Sequence, residues 1–134
     1  MINRQVLLTG ASAALSQAVL LTAQPHSGPK MVFEHDLPDL TLKDWSVTVV
    51  EVSYGPGDVS PAHRHPGITV VYVLEGEVRS KVGDDPEKTY RAGEVFMETP
   101  NQLHAVSANA SANRSAKLLV VFLTEKGKQL TTPA

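Results

Sequence analysis

The amino-acid sequence predicts an all-β protein, built as a sandwich or barrel of antiparallel strands. From Leu40 onward, short runs rich in valine and threonine are separated by turn residues at regular spacing, and no helix-period segment longer than two turns follows the N-terminal leader. The chain has 134 residues, of which 42% are hydrophobic and 19% charged. This size and composition fit one globular domain that can bury its own core.

Charge and cysteine content exclude several classes of function. The formal net charge is −2, and acidic and basic residues are spread along the chain without a basic stripe. Nucleic acid is therefore not an expected partner. The chain has no cysteine, which excludes thiol catalysis, thiolate metal sites and disulfides. Histidine and carboxylate side chains remain as the main reactive groups.

The first 23 residues differ from the rest of the chain. Arg4 is followed by an uncharged stretch from Val6 to Ala23, a pattern typical of a secretory signal peptide. The alternative is an N-terminal helix that packs on the domain or on a partner subunit. The stretch is too polar to predict a stable membrane span. We expect a periplasmic or secreted protein if residues 1–23 are cleaved and a cytoplasmic one otherwise.

The remaining chain divides into an N-terminal extension at 24–44, a barrel at 45–124 and a C-terminal tail at 125–134. Within the barrel, WSVTVVEVSY predicts a strand that ends in a Gly-Pro-Gly turn, and TVVYVLEGEVRSKV predicts two strands around a tight turn at Glu75-Gly76. Shorter strands are predicted at 88–91, 95–97 and 103–107, and KLLVVFLTE predicts the last one. The polar tail is expected to be loose or to embrace a partner.

Two of the five histidines stand one residue apart at the start of a predicted strand. Residues two apart in a strand project from the same face, so His63 and His65 point together, and His104 lies in another predicted strand. If both strands line a barrel interior, the three imidazoles converge into a site for a divalent transition metal: Fe, Mn, Ni, Cu or Zn. Imidazoles bind such ions when neutral, so binding should weaken as the pH falls.

The spacing around the histidine pair resembles the first motif of the cupin superfamily. Gly57 is followed after five residues by His63, Arg64 and His65, then by position 69 and, after six more residues, by Gly76. The resemblance covers residues 45–124. It implies a small single-domain jelly-roll barrel, also called a double-stranded β-helix, with a metal in its mouth. It also implies a small-molecule ligand or substrate and a homodimer.

The second cupin motif is matched by Gly93, the segment EVFMETPNQL and then His104. The family usually has Pro-X-Gly before this histidine, where the present chain has Thr99, Pro100 and Asn101. Asparagine is the best substitute for glycine in a left-handed turn, so the departure is mild.

Position 69 departs further from the family pattern, because Thr69 stands where cupins usually supply a glutamate ligand. Three interpretations follow. The three histidines can form a site with three open positions; Glu98 or Gln102 can supply the missing ligand; or metal binding is weak and the barrel is a ligand-binding shell. Under the first interpretation, Thr69→Glu should tighten metal binding.

Glu98 is the only carboxylate in the segment that approaches the predicted pocket. It can orient a histidine or act as general base. The alternative is a solvated turn residue beside Pro100. Four apolar residues are candidates for pocket lining, each with an ordinary core role as its alternative: Tyr72, Phe96, Met97 and Phe122.

Three functions follow from these residues and from the cupin resemblance. The favoured one is a metal-dependent dioxygenase, an oxidoreductase acting on an enol, diketone or catechol-like substrate. The second is a redox-neutral lyase, isomerase or decarboxylase that uses the metal as Lewis acid and Glu98 as base. The third is a non-catalytic ligand-binding barrel. Fold alone does not choose among them, because cupins host many activities.

Overall fold

The structure is a computed structural model that describes residues 28–134. The predicted signal peptide or N-terminal helix at 1–23 lies outside these residues. Residues 28–44 carry no strand and expose apolar side chains such as Met31 and Leu42. Across residues 28–134, no helix is long and apolar enough to cross a membrane.

Strands alone form the regular structure of the described chain, as the sequence predicts. In chain order they are β1 (Trp45–Tyr54), β2 (Val59–Ser60), β3 (His63–Arg64), β4 (Ile68–Glu75), β5 (Glu77–Val82), β6 (Lys88–Arg91), β7 (Val95–Glu98), β8 (Leu103–Asn109), β9 (Ala116–Glu125) and β10 (Thr132–Pro133). The predicted turns at Gly55–Gly57 and Gly76 separate the expected strands.

The strands form two sheets, and every pair within them is antiparallel. The first sheet has the order β1-β9-β4-β7, and the second has the order β10-β3-β8-β5-β6, with β2 also paired to β8. Because consecutive strands β4 and β5 lie in different sheets, the turn at Gly76 is also a crossing between the sheets. This is the jelly-roll arrangement that the cupin resemblance implies.

The core lies between the two sheets and follows the two-residue period of the strands. Along β9, Leu118, Val120 and Phe122 are buried, and the residues between them are only partly buried. Strand β4 buries Val71 and Val73 on the same inner side. Side chains of a strand point alternately to its two faces, so one face of each central strand supplies the core.

Two turn residues hold the backbone close to the histidine pair. An added Cβ at Gly67 would clash with the Leu123 carbonyl oxygen, so only glycine fits at this position just before β4. Asn101 adopts a left-handed φ of 63°, as predicted for the residue that replaces the usual glycine. Its N–H donates a hydrogen bond of 2.8 Å to the His65 carbonyl.

The C-terminal tail differs from the expectation of a loose or partner-embracing segment. Strand β10 pairs with β3, so that Thr132 lies opposite Arg64 and Pro133 opposite His63. Leu130 packs against the core and provides an apolar anchor for the returning chain. The tail therefore belongs to the wall of the barrel that carries the histidines.

Candidate metal centre

The second sheet and the segment that follows β3 bring the three predicted histidines into one cluster. Their nearest ring nitrogens all lie within 4.8 Å of one another. His63 on β3 is directly opposite His104 on β8, and their ring centroids are 4.8 Å apart. The His65 ring is also 4.8 Å from that of His63. The convergence predicted from the sequence is therefore present in the fold.

Backbone carbonyls fix the protonation pattern of two of these rings. Nδ1 of His63 is 2.7 Å from the Pro61 carbonyl oxygen, and Nδ1 of His65 is 2.9 Å from that of Leu130. A carbonyl only accepts hydrogen bonds, so each Nδ1 carries the hydrogen of the neutral ring. The unprotonated nitrogen is then Nε2 in both residues, which is the form that binds a metal.

His104 is held by a side chain instead of a carbonyl. Its Nε2 lies 2.8 Å from the Ser80 hydroxyl oxygen, and both residues are buried. The other ring nitrogen, Nδ1, is 3.1 Å from Oε1 of Glu98. When Nε2 donates to Ser80, Nδ1 keeps a lone pair that is directed toward the centre of the site.

Glu98 is buried within the histidine cluster and is not a solvated turn residue. Its side chain is 1% exposed, and its Oε2 lies 3.6 Å from Nε2 of His65. Among residues 28–134, neither carboxylate oxygen has a hydrogen-bond partner, and the same holds for His104 Nδ1 and Thr69 Oγ1. Burying a carboxylate without a counter-charge costs roughly several kcal/mol of folding free energy. The Glu98 oxygens and His104 Nδ1 therefore fit a divalent cation, for which imidazole and carboxylate are ordinary ligands and a neutral threonine hydroxyl is a poor one.

Gln102, the other candidate for the missing ligand, stabilises a turn instead. The Gln102 side-chain oxygen accepts a hydrogen bond of 2.8 Å from the Thr99 N–H and so stabilises the turn before β8. Gln102 does not line the cavity, whereas Thr69 and Glu98 do. Of the two candidates, only Glu98 lies against the histidines.

The histidines open into a cavity of about 490 Å³ between the sheets. Its apolar wall comes mainly from the first sheet and consists of Val52, Val71, Phe96, Leu118, Val120 and Phe122. Two of the four predicted lining residues, Phe96 and Phe122, are thus in the wall, whereas Tyr72 and Met97 are not. The described lining includes no lysine or arginine.

Burial and neighbouring groups shift the ionisation of His63. Desolvation lowers the pKa of His63 below the ordinary value of 6.5, although the hydrogen bond to the Pro61 carbonyl opposes this shift. The nearby His104 and His65 lower the pKa further, and Glu98 raises it. A lowered pKa keeps the imidazole neutral, as a metal ligand must be.

Sequence reasoning missed three groups that hold the site. Ser80 on β5 positions His104, and the tail positions His65 through the Leu130 carbonyl and the Thr131 hydroxyl, which is 3.2 Å from Nδ1. The alternation of β5 places Ser80 on the inner face with Val78, which is a weak signal for Ser80. No spacing in the sequence links Leu130 to His65, because their contact depends on the return of the tail.

Solved structures of several proteins resemble this fold. A DMSP lyase from Ruegeria pomeroyi aligns with a TM-score of 0.59 and 18% identity over 69% of this chain and 44% of that chain. An oxalate oxidase in complex with glycolate aligns with a TM-score of 0.52 and 25% identity over 57% of this chain and 41% of that chain. A cupin superfamily protein from Desulfitobacterium hafniense aligns with a TM-score of 0.53 and 22% identity, covering 59% and 68% of the two chains.

Curated relatives and a family model agree with this likeness. Germin-like protein subfamily 2 member 2 of Arabidopsis thaliana is 35% identical over 79 residues, which are 55% of this chain and 36% of that protein. Germin-like protein subfamily 2 member 4 is 31% identical over 86 residues, which are 60% and 39% of the two chains. The chain thus spans less than half the length of these relatives. The cupin domain model matches residues 50–122, more than half of the chain, and the protein therefore belongs to the cupin superfamily.

Proposed function

We propose that the protein is a metal-dependent cupin enzyme whose centre is formed by His63, His65 and His104. The observation that carries this proposal is the convergence of the three imidazoles on a buried carboxylate at the wall of an apolar cavity, a carboxylate that has no hydrogen-bond partner among residues 28–134. Dioxygenase-type chemistry on an enol, diketone or catechol-like compound is the favoured activity.

The residues of this chain would hold the ion and keep its surroundings dry. His63 and His65 would offer Nε2 and His104 would offer Nδ1, each with its second nitrogen already hydrogen-bonded. When bound, the ion supplies Lewis acidity and, if it is Fe or Mn, a site for dioxygen chemistry. The apolar wall excludes water and so strengthens electrostatic interactions inside the cavity.

The cavity lining supports a small and largely apolar substrate with one chelating group. Hydrocarbon parts of a substrate can pack on Val71, Val120 and Phe122 while its oxygens face the histidines. The described lining offers no lysine or arginine to a second carboxylate. A small dicarboxylate would therefore bury a charge without a partner, which disfavours it relative to an enolate.

A redox-neutral lyase, isomerase or decarboxylase is the second candidate, favoured by the position of Glu98. Glu98 faces the cavity and forms no hydrogen bond with the part of the chain that the structure describes, so its carboxylate could accept a substrate proton. The likeness to a DMSP lyase is compatible with this candidate but rests on the fold alone.

Metal analysis followed by oxygen uptake tests the proposal. Protein purified without chelating resin should contain one transition metal per chain, and His104→Ala should lose it. Oxygen consumption with β-diketones, catechols and flavonols supports the dioxygenase, whereas substrate turnover without oxygen consumption supports the lyase class. If the protein stays metal-free and its melting temperature does not change on addition of Fe(II), Mn(II), Ni(II), Cu(II) or Zn(II), the metal centre is refuted. The non-catalytic ligand-binding barrel is then the function that remains.

Two further features stay predictions: export after cleavage of residues 1–23, and the homodimer. Val47 and Val49 are exposed on β1, at the edge of the first sheet, and we expect a second copy to cover them. Light scattering of the purified protein measures the assembly, and N-terminal sequencing of native protein measures the cleavage.

A further inference from the structure

We propose that Glu98 is the fourth protein ligand of the ion and that this chain has moved the carboxylate of its metal centre from β4 to β7. The proposal rests on the metal centre proposed above and goes beyond it, because it assigns the position that Thr69 leaves without a carboxylate. Glu98 would then be a ligand in the resting protein, and not a free general base.

The sheet register makes the two positions equivalent. Thr69 on β4 and Glu98 on β7 are direct partners in an antiparallel pair. Directly opposite residues point to the same face, with their Cβ atoms about 4.5–5.5 Å apart. Thr69 and Glu98 are both buried and both line the cavity. A glutamate side chain is long enough to reach one ion from either strand.

The distances around Glu98 fit donors that share an ion. Ligand atoms that bind at about 2.1 Å in adjacent octahedral positions lie about 3.0 Å apart, and in a tetrahedral site about 3.4 Å apart. Oε1 is 3.1 Å from His104 Nδ1, and Oε2 is 3.6 Å from His65 Nε2. Neither carboxylate oxygen forms a hydrogen bond with any residue in the described part of the chain. The two contacts are therefore better explained by a shared cation than by direct hydrogen bonds.

The charges at the site also favour Glu98 as a ligand of a divalent ion, and they favour a monoanionic substrate over a dianionic one. Among the described lining residues, no lysine or arginine neutralises Glu98, so a divalent ion is the counter-charge that the site lacks. Three neutral imidazoles, one carboxylate and a divalent ion have a net charge of +1. A monoanionic chelating substrate such as an enolate would neutralise this centre, whereas a dianion would leave a negative charge in the apolar cavity.

The test exchanges the carboxylate between the two strands. Metal affinity would be measured by competition with a chromophoric chelator, using Zn(II) as the probe, for wild type, Glu98→Gln, Thr69→Val and the double variant Thr69→Glu/Glu98→Thr. Glu98→Gln should weaken binding by more than about 100-fold, beyond the roughly 10- to 100-fold typical of a residue that only supports a ligand. Thr69→Val is the matched control and should bind within about twofold of wild type, because it removes a hydroxyl that is a poor ligand. The exchanged variant should recover most of the lost affinity.

The outcomes separate this inference from the proposed function. Wild type that binds Zn(II), together with Glu98→Gln that binds within about tenfold of it, overturns the ligand role and leaves the three-histidine centre in place. A folded exchange variant that binds no better than Glu98→Gln overturns the equivalence of the two strands. Wild type that binds no metal overturns both proposals. Melting curves of the metal-free variants show which of them are folded.

Discussion

Ser80→Ala should weaken metal binding although Ser80 is not a proposed ligand. The Ser80 hydroxyl is 2.8 Å from Nε2 of His104, and the two residues are 4% and 3% exposed. Removing one oxygen atom leaves the ring nitrogen buried without this partner. The ring then loses the contact that keeps Nδ1 directed toward Glu98, while the backbone of β5 and β8 stays in place.

The magnitude follows from the two roles of this hydrogen bond. Loss of a partner to a buried polar group costs about 1–3 kcal/mol of folding stability. Loss of the group that orients a histidine ligand typically costs about 10- to 100-fold in metal affinity. Because a tenfold change corresponds to about 1.4 kcal/mol, both effects are measurable by thermal unfolding and by chelator competition.

Ser107→Ala is a matched control for this experiment. Ser107 lies directly opposite Ser80 in the β5–β8 pair, is also buried, and bonds the Tyr54 hydroxyl at 2.9 Å instead of a histidine. It should lose a similar amount of stability and keep its metal affinity. If the two variants bind Zn(II) equally well, the hydrogen bond from Ser80 does not position His104 and the argument fails.

Three other measurements address the tail, the histidine charge and the turn before β4. Deleting residues 129–134 should weaken Zn(II) binding at least about tenfold in a chelator competition, because His65 loses its hydrogen bond to the Leu130 carbonyl. Leu130→Ala keeps this backbone carbonyl and should retain the affinity for Zn(II). In metal-free protein, the fold lowers the pKa of His63, so the neutral ring contributes its full share to the folding stability above pH 6.5. This contribution is lost as the pH falls through the pKa that His63 has in the folded protein. Melting temperatures from pH 8 to 5 should therefore fall less steeply in His63→Gln, and equal slopes would contradict this prediction. Gly67→Ala should destabilise the fold by about 1–3 kcal/mol in urea unfolding, because its Cβ would clash with the Leu123 carbonyl oxygen on β9; an unchanged midpoint would show that the backbone at this contact can move aside.

The sequence was sufficient to predict most of the strands and the three histidines. Alternating apolar residues and turn residues are local signals, and a His-X-His pair has a defined geometry in any extended segment. The left-handed turn at Asn101 was also predictable, because few residues other than glycine tolerate that backbone conformation. The family resemblance strengthened the placement of His104 in the same site, about 40 residues further along the chain.

Glu98 shows where local reasoning stops. The alternation of β7 places Phe96 and Glu98 on one face, but the sequence does not state whether that face meets the cavity or solvent. The answer came from the pairing of β7 with β4, which sets Glu98 opposite Thr69 and against two histidines from the other sheet.

The sequence alone therefore determined the strand pattern and the chemical identity of the candidate metal ligands, because both depend on short-range spacing and residue type. Only the tertiary structure decided which carboxylate lies at the histidines, that Ser80 and the Leu130 carbonyl hold two of the rings, and that the tail closes the barrel wall. These contacts join residues from separate strands and from both sheets. Their geometry is set by strand register and by packing between the sheets, which no local pattern of residues specifies.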